Sequence, residues 1–390
     1  MTEIKEEGGG VSSPKLTEEI LRGIQLYYTP ILVYFGSFGN CLSVYVFFGT
    51  KLRQISSSIY LGALAISDTG FLISLFVVWL DMVDIGIFNM QGLCQFFIYF
   101  TTVCSFLSVW FVVAFTVERC IAVQYPFLRQ SMCTVARAKK VVIGLTILGI
   151  ILCSPVLLVS GPRLSMSNNK NVTRCLVAEG LELSSTIFNS IDAILTFVLP
   201  FTLIVVLNIL IARAIYKLAR VRRTLTYESR NSQEQMSCSQ SPRNNTTLAQ
   251  SKITKMLLTV STIFLCLNLP AYGIRAYAFL YPDNNPPRLL EIMQPVCNML
   301  FNTNFGINFI LYCATGQNFR RAMIRMFSCK SRRNNDTTGQ ISNRGNNELI
   351  PNNNSMIRQQ TTTLNKSLNT HYELQIFSKE FKEDVEKDKD

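Results

Sequence analysis

An all-α membrane protein, built as a bundle of seven transmembrane helices with a short cytoplasmic amphipathic helix, is the fold class that the sequence predicts, on three observations. Apolar side chains make up 48% of the 390 residues and charged ones only 16%, against about 25% charged in soluble domains. No charge interrupts Leu26 to Thr50, Ile85 to Val117, Val141 to Gly161, Met256 to Ile274 or Ile292 to Phe319, and two further apolar runs hold one acid each, Asp68 and Asp192. Each run is close to, or longer than, the roughly 20 residues that carry a helix across a hydrocarbon core about 30 Å thick. The runs are apolar on nearly every side, so they read as helices and not as the alternating strands of a barrel.

Residues 1–25 form a polar outer tail without the hydrophobic stretch of a cleavable signal peptide, so the first span is expected to serve as an uncleaved anchor. The spans fall near 26–50, 56–84, 92–124, 139–160, 184–217, 252–281 and 289–313, within a membrane domain of residues 26–329. In Gln317 to Cys329, Phe319, Met323, Met326 and Phe327 recur at helical spacing with Arg320, Arg321 and Arg325 between them, as suits a helix lying on the inner leaflet among membrane lipids. Cys329 at its end is a candidate for palmitoylation. The third inner loop, about 218–251, and the tail 330–390 are rich in polar residues and are expected to be disordered.

Topology follows from the cations, which concentrate in alternate connections: Lys51 and Arg53, then Arg129, Arg137, Lys139 and Lys140, then Arg213 through Lys255, then Arg320 through Arg333. Such loops stay in the cytoplasm. The opposite loops hold few cations, so the amino terminus is expected outside and the carboxyl tail inside. The net charge of +12 brackets membrane spans instead of lining one soluble face, which argues against a nucleic-acid partner.

Most of the twelve cysteines lie inside spans, where a thiol is a small buried hydrophobe. Cys94 and Cys175 differ: one begins the third span on the outer side and the other lies in the loop before the fifth, both facing an oxidising compartment, and a disulfide is expected between them. Asn171-Val172-Thr173 in the same loop is a glycosylation acceptor on the correct side, whereas the sequons at Asn244, Asn245, Asn335 and Asn365 fall on the cytoplasmic side.

Several motifs occur together in a familiar order: Asn40 in the first span, Leu64-Ala65-Ile66-Ser67-Asp68 in the second, Glu118-Arg119-Cys120 ending the third, Pro200 in the fifth, Pro270 in the sixth and Asn308-Phe309-Ile310-Leu311-Tyr312 in the seventh. In these residues the chain resembles a rhodopsin-like, class A G-protein-coupled receptor, over roughly its middle three quarters. Cys94 and Arg119 are 25 residues apart, the spacing the family uses to put disulfide and switch at opposite faces of one helix. Leu267-Asn268-Leu269-Pro270 and Asn308 to Cys313 resemble a subgroup of invertebrate neuropeptide receptors, such as those for FMRFamide-like peptides and CNMamide. The resemblance implies a heterotrimeric G protein as partner, with arrestin and receptor kinases besides.

A carboxylate such as Asp68 is costly inside an apolar span unless a partner satisfies it. The resemblance implies that Asp68 joins Asn40, Ser108, Asn304 and Asn308 in a cluster that holds a sodium ion; a hydrogen-bond network without an ion is the alternative. It also implies that Glu118 holds Arg119 while the bundle is closed, that Arg119 engages the G protein when it opens, that Pro126 and Phe127 contact the Gα subunit, and that Tyr312 takes part in the switch. Pro200 and Pro270 each remove a backbone hydrogen bond and offer hinges. Four positions depart from the family pattern: the fourth span lacks a Trp near Leu145, Asn268 stands where a toggle Trp is usual, Asn208 replaces a Tyr, and Phe309 replaces a Pro.

The outer half of the third span reads Tyr99-Phe100-Thr101-Thr102, with no acid to pair an amine ligand, and the seventh span has no Lys for a retinal Schiff base. The resemblance to neuropeptide receptors implies instead that the ligand is an extracellular neuropeptide. Asp192 and Arg275, charges embedded at the outer level, are its main candidate contacts, unless they serve only as each other's partner. Trp79, Gln95, Thr101, Tyr272, Gln294 and Asn298 surround them in this reading. A rim of Asp81, Asp84, Glu179 and Glu291 suits a peptide with a cationic part. A transporter or channel is the rival function, but it calls for paired repeats and broken helices that the sequence does not carry. An enzyme is disfavoured, since the only His, His371, lies in the tail and no facing spans carry paired carboxylates or a Ser-His arrangement.

Overall fold

In the computed structural model the described residues are 13–167, 170–178, 180–231, 243–281 and 287–335. Residues 1–333 belong to one compact unit, which holds all the spans. The expected unstructured tail beyond 335, residues 232–242 of the third inner loop, Glu179 of the acidic rim and the sequon at Asn365 lie outside the described residues.

The spans appear as helices: Ser13–Gly49 for the first, Ser56–Met82 for the second, Leu93–Gln124 for the third and Val135–Cys153, prolonged by Val156–Val159, for the fourth. The fifth is Glu182–Ala193 running through a π-turn, Ile194–Val198, into Leu199–Asn231, while Arg243–Leu280 and Arg288–Thr315 are the sixth and seventh. Six of these are long and apolar enough to cross a membrane. The seventh has 28 residues, about 42 Å of helix. Its polarity comes from Gln294, Asn298, Asn302, Asn304 and Asn308, and Asn304 and Asn308 are buried in the bundle, not turned to lipid.

Several helices outrun the expected limits. The first begins at Ser13, well inside the polar outer tail, and the fifth and sixth extend to Asn231 and from Arg243, so helix occupies most of what reads as the third inner loop. Local propensity allows this where a span has already nucleated the helix, because each added residue then gains a backbone bond without a new nucleation cost.

Polarity is distributed as a lipid solvent demands. Ile143, Ile147 and Ile151 on the fourth span are 59%, 54% and 61% exposed, while Asn40, Asp68 and Ser108 are 0%, 0% and 1% exposed. Apolar side chains cost nothing against acyl chains, whereas polar ones must find each other inside. The first and seventh helices approach closely: a methyl group placed on Gly36 would stand 2.9 Å from the Gly306 Cα. Small residues permit such backbone contact in membranes. Tyr28 fastens the same pair above it, its hydroxyl donating to the Met299 carbonyl at 2.9 Å and lying 2.6 Å from Thr303 Oγ1.

The outer loop before the fifth span adds an element that an all-α reading leaves out. β1, Ser160–Ser167, pairs antiparallel with β2, Lys170–Val177, with Pro162 opposite Cys175. Outside the bilayer a two-stranded ribbon can expose its edges to water, and a proline is tolerated on such an edge. The expected disulfide between Cys94 and Cys175 is present, with Cα atoms 5.7 Å apart. Asn89 accepts a hydrogen bond from the Cys175 amide at 3.0 Å, so the hairpin is tied down twice. The sequon residue Asn171 falls in β2.

At the inner end, Arg320 donates to the carbonyls of Cys313 at 2.6 Å and Ala314 at 2.8 Å, which lack helical partners as the seventh helix ends. The chain turns at Gly316 into the expected amphipathic helix, Gln317–Asn335, which carries Cys329. Phe319, 2% exposed, anchors it against Phe47 and Tyr312.

Candidate functional site

Three groups of side chains stand along the bundle. The outermost is the pair Asp192 and Arg275, joined at 3.3 Å between the fifth and sixth helices. The Asp192 side chain is 14% exposed and that of Arg275 is 48% exposed, so the guanidinium still faces open space. It also lies 5.8 Å over the ring of Tyr272, one helical turn inward. Tyr272 is 5% exposed and stacks on Phe197 at 4.3 Å. Its edge meets Phe201 at 5.8 Å and Phe301 at 6.0 Å.

The other residues expected at the ligand are placed more variously. Gln95 caps the third helix, its Oε1 accepting from the Gly92 amide at 2.8 Å. Trp79 donates to the Leu26 carbonyl at 2.9 Å, and Thr101 turns back to the Phe97 carbonyl at 2.6 Å. Gln294 and Asn298 are exposed, yet at helical spacing they continue the stripe of Phe301, Phe305 and Asn308 that faces the bundle interior. Asp81 accepts from Asn89, and Asp84 adopts a positive φ of 62° in the turn after the second helix.

Aromatic contacts run inward from Tyr272. Phe301 meets Phe71 at 5.9 Å and Phe305 at 5.3 Å, and Phe305 lies flat on Phe71 at 3.6 Å. Beneath them is the second group. Asp68 accepts from Ser108 Oγ and from Asn308 Nδ2, both at 2.7 Å. Asn40 is also buried, but it donates to the Phe305 carbonyl at 2.9 Å and not to Asp68. Its Oδ1 is buried without a partner. Two carboxylate oxygens and a hydroxyl are donors of the kind a small hard cation takes, while Asn308 presents its amide nitrogen to the carboxylate.

The third group closes the inner end. Arg119 donates from Nη2 to Glu118 Oε1 at 2.6 Å, with both residues buried. The same oxygen accepts from Ser56 Oγ at 2.9 Å and Ser57 Oγ at 3.0 Å, where the second helix begins. Sequence reasoning missed these serines; a hydroxyl pair just inside a helix start is compatible with many roles. The Arg119 guanidinium lies 5.8 Å from the Phe115 ring, and its Nε is buried without a partner. Tyr312 is fully buried between Phe47 and Phe319, its hydroxyl also without a partner. Pro126 opens the short helix Pro126–Met132, on which Phe127 is 43% exposed.

The departures from the family pattern have physical settings. Asn268 is 2% exposed and its amide turns back to the Phe264 carbonyl at 2.7 Å, while one turn outward Tyr272 makes ring contacts with Phe197, Phe201 and Phe301. Asn208 donates to Ser261 Oγ at 2.8 Å and joins the fifth helix to the sixth. Phe309 fits against Gly39, where a Cβ would stand 2.8 Å from its own. Pro200 follows directly after the π-turn Ile194–Val198 and Leu199, and the Leu195 carbonyl inside that turn accepts from Trp110 of the third helix at 3.0 Å. A proline and a π-turn both disturb the helical ladder and free carbonyls for such bonds.

Comparison with known proteins agrees with this geometry. The family model described as 7 transmembrane receptor (rhodopsin family) matches residues 39–312. A thyrotropin-releasing hormone receptor of Gallus gallus is 25% identical over 319 residues, covering 76% of this chain and 77% of its own length. A galanin-like G-protein coupled receptor of Caenorhabditis elegans is 28% identical over 313 residues, covering 76% and 71%. A cysteinyl leukotriene receptor 2 of Mus musculus is 25% identical over 303 residues, covering 76% and 89%.

Proposed function

From the premise that the chain belongs to the rhodopsin family of seven-transmembrane receptors, we propose that it binds an extracellular neuropeptide at the outer ends of its helices and activates a heterotrimeric G protein at their inner ends. One observation carries the reading. A single helix, Leu93–Gln124, holds the outer disulfide at Cys94 and the buried pair Glu118 and Arg119 at its other end, about 38 Å apart along its axis. In this reading the amino terminus is outside and the carboxyl tail in the cytoplasm, a placement that the alternating cations support.

The peptide reading draws on two supports. Relatives at this distance include receptors named for thyrotropin-releasing hormone and galanin, both peptides. Arg275, paired with Asp192 yet half exposed, offers donors to a carboxylate, a carbonyl or an amidated end of the ligand. Ligand contact there bears on Tyr272 and through Phe301 and Phe305 on the packing above Asp68. Asp68, Ser108, Asn304 and Asn308, with the unpartnered oxygen of Asn40, are the residues that would hold a sodium ion. When bound, the ion supplies positive charge to a carboxylate buried in a closed bundle.

At the inner end Glu118, Ser56 and Ser57 keep the Arg119 side chain engaged. Separation of the inner helix ends frees Arg119 for Gα, with Phe127 and Pro126 as the apolar contact. Phosphorylation of the Ser- and Thr-bearing tail by receptor kinases, and arrestin binding to it, belong to the same reading. Cells expressing the chain, challenged with a neuropeptide library while calcium and cyclic AMP are read together, test it. A peptide that signals only in expressing cells supports the proposal. A response to a leukotriene and to no peptide would replace the ligand class, and ligand-independent ion flux would replace the receptor reading.

A further inference from the structure

The first helix, Ser13–Gly49, turns one face away from the bundle, and that face is ordered in a way that lipid contact does not require. Ile20, Ile24, Tyr27, Ile31, Tyr34, Phe38, Cys41 and Tyr45 follow one another at intervals of four and three residues in strict alternation. All of them are exposed, the side chains larger than Cys41 by 47–73%. This spacing is a repeat of seven with apolar residues at a and d, the seam along which one helix winds on another. Ile24, Ile31, Phe38 and Tyr45 are the a positions, and β-branched residues there favour two parallel strands. The helix runs unbroken through Pro30, and the Leu26 carbonyl that Pro30 leaves without an amide accepts instead from Trp79 at 2.9 Å.

Lipid alone leaves two features of this face unexplained. The first is its tyrosines. Tyr27, Tyr34 and Tyr45 make no hydrogen bond among the described residues, and Tyr34 lies about 12 Å inside the apolar run that begins at Leu26, where no water reaches a hydroxyl. By contrast the exposed face of the fourth span is built of Ile143, Ile147, Leu148 and Ile151, which have no polar group to satisfy. The second is its length. Ile20, and Leu16 beside the seam at 51% exposure, stand about 9 Å and 15 Å of helix beyond Leu26, past a headgroup layer about 5–7 Å deep. Water covers them in a single chain, at a hydrophobic cost. The charges of this extension keep off the seam, since Glu18, Glu19 and Arg22 fall at b, c and f, the positions most remote from it.

We propose that this face pairs with the same face of a second copy of the receptor, as a parallel two-stranded coiled coil from Ile20 to Tyr45. Copies inserted the same way in one membrane present the stripe in the same register, so the pair closes on itself about a two-fold axis. Each layer then brings a residue against its own counterpart, and Tyr34 of one copy offers its hydroxyl to Tyr34 of the other, out of contact with lipid. At about 150–250 Å² for a whole aromatic side chain, Tyr27, Tyr34, Phe38 and Tyr45 expose roughly 500 Å² per copy. Ile20, Ile24 and Ile31 bring this close to the ~800 Å² per partner of a standard interface.

Disulfide trapping tests it, in isolated membranes from cells expressing the full-length receptor and oxidised with copper phenanthroline. Ile20→Cys, Arg22→Cys and Ile24→Cys are each made in a background in which Cys41, Cys238, Cys266 and Cys329 are replaced by Ser. Ile20→Cys and Ile24→Cys should give a band of twice the receptor's mass at about five times or more the yield of Arg22→Cys, because d and a face the seam and f does not. Equal yields from all three, as random collision gives, would overturn the proposal, and so would no dimer from either seam position. A seam-specific band of any other mass would assign the face to a different protein. Energy transfer between labelled copies without introduced cysteines is the second measurement. Ile20→Glu/Ile24→Glu should raise the surface density needed for half-pairing by about tenfold or more, and Glu18→Gln/Glu19→Gln should leave it unchanged; equal pairing by the two double variants would again overturn the proposal.

Discussion

Arg275 and Asp192 face each other at 3.3 Å, but unequally: the carboxylate is mostly covered and the guanidinium is half open to the outer side. A pair serving only itself has no need of that asymmetry. A guanidinium carries five donors in a fixed fork, and one carboxylate oxygen at this distance uses few of them.

Arg275→Gln should therefore lower agonist potency by roughly tenfold or more, the loss of one charge-assisted contact of about 1.4 kcal/mol or above. Surface expression should be nearly unchanged. The exchange Asp192→Arg/Arg275→Asp restores the mutual pair but not the contact, so it should remain impaired in concentration–response curves. Recovery of full potency in the exchanged receptor would mean that the two side chains serve only each other.

Asp68→Asn keeps the shape of the carboxylate and its place between Ser108 and Asn308, but removes the charge that a cation requires. Agonist affinity measured in sodium chloride and in choline chloride should differ in the unmutated receptor and agree in the variant. The same affinity in both salts for the unmutated receptor would leave a hydrogen-bond network without an ion.

Close helix contact gives a ranking of stabilities. A Cβ on Gly36 would meet the Gly306 Cα at 2.9 Å and Leu72 Cδ1 at 2.8 Å, whereas one on Gly306 would meet the movable Leu32 Cδ1 at 2.6 Å and the Gly36 Cα only at 3.4 Å. Gly36→Ala should cost about 1–3 kcal/mol, as overpacking does, and Gly306→Ala less. Thermal unfolding of the detergent-solubilised receptor should place the two variants in that order below the unmutated protein; unchanged midpoints for both would contradict the contact.

How far these sites were legible in the sequence follows from what each depends on. Asp68 announced its need for partners because a carboxylate stood in an apolar run, and Ser108 and Asn308 meet that need. Cys94 and Cys175 were legible from the side of the membrane on which each falls. Asn40 was assigned to the same cluster by resemblance, but its amide goes to the Phe305 carbonyl, a choice set by the first and seventh helices approaching at Gly36 and Gly306. Ser56, Ser57 and Ser261 were invisible for the same reason: a hydroxyl in a helix can return to its own backbone, as Thr101 does, and only the crossing of two helices decides otherwise. The hairpin of β1 and β2 is tied to the bundle by the disulfide and by Asn89, contacts between residues distant in sequence that no local pattern shows.

Coupling of the outer pocket to a G protein turns on the inner pair. Glu118 accepts from Arg119, Ser56 and Ser57 through one oxygen, so Glu118→Gln weakens the hold on Arg119 without emptying the space. It should raise basal signalling several-fold, a shift of about 1 kcal/mol toward the active state. Arg119→Ala should leave peptide binding nearly intact and abolish coupling, because the outer and inner sites are linked only through one two-state bundle. The measurement is basal and peptide-stimulated G-protein activation by both variants at matched surface expression. A raised baseline is expected for Glu118→Gln and silence for Arg119→Ala; unchanged basal activity in the first together with full signalling in the second would mean that Glu118 and Arg119 are not the switch.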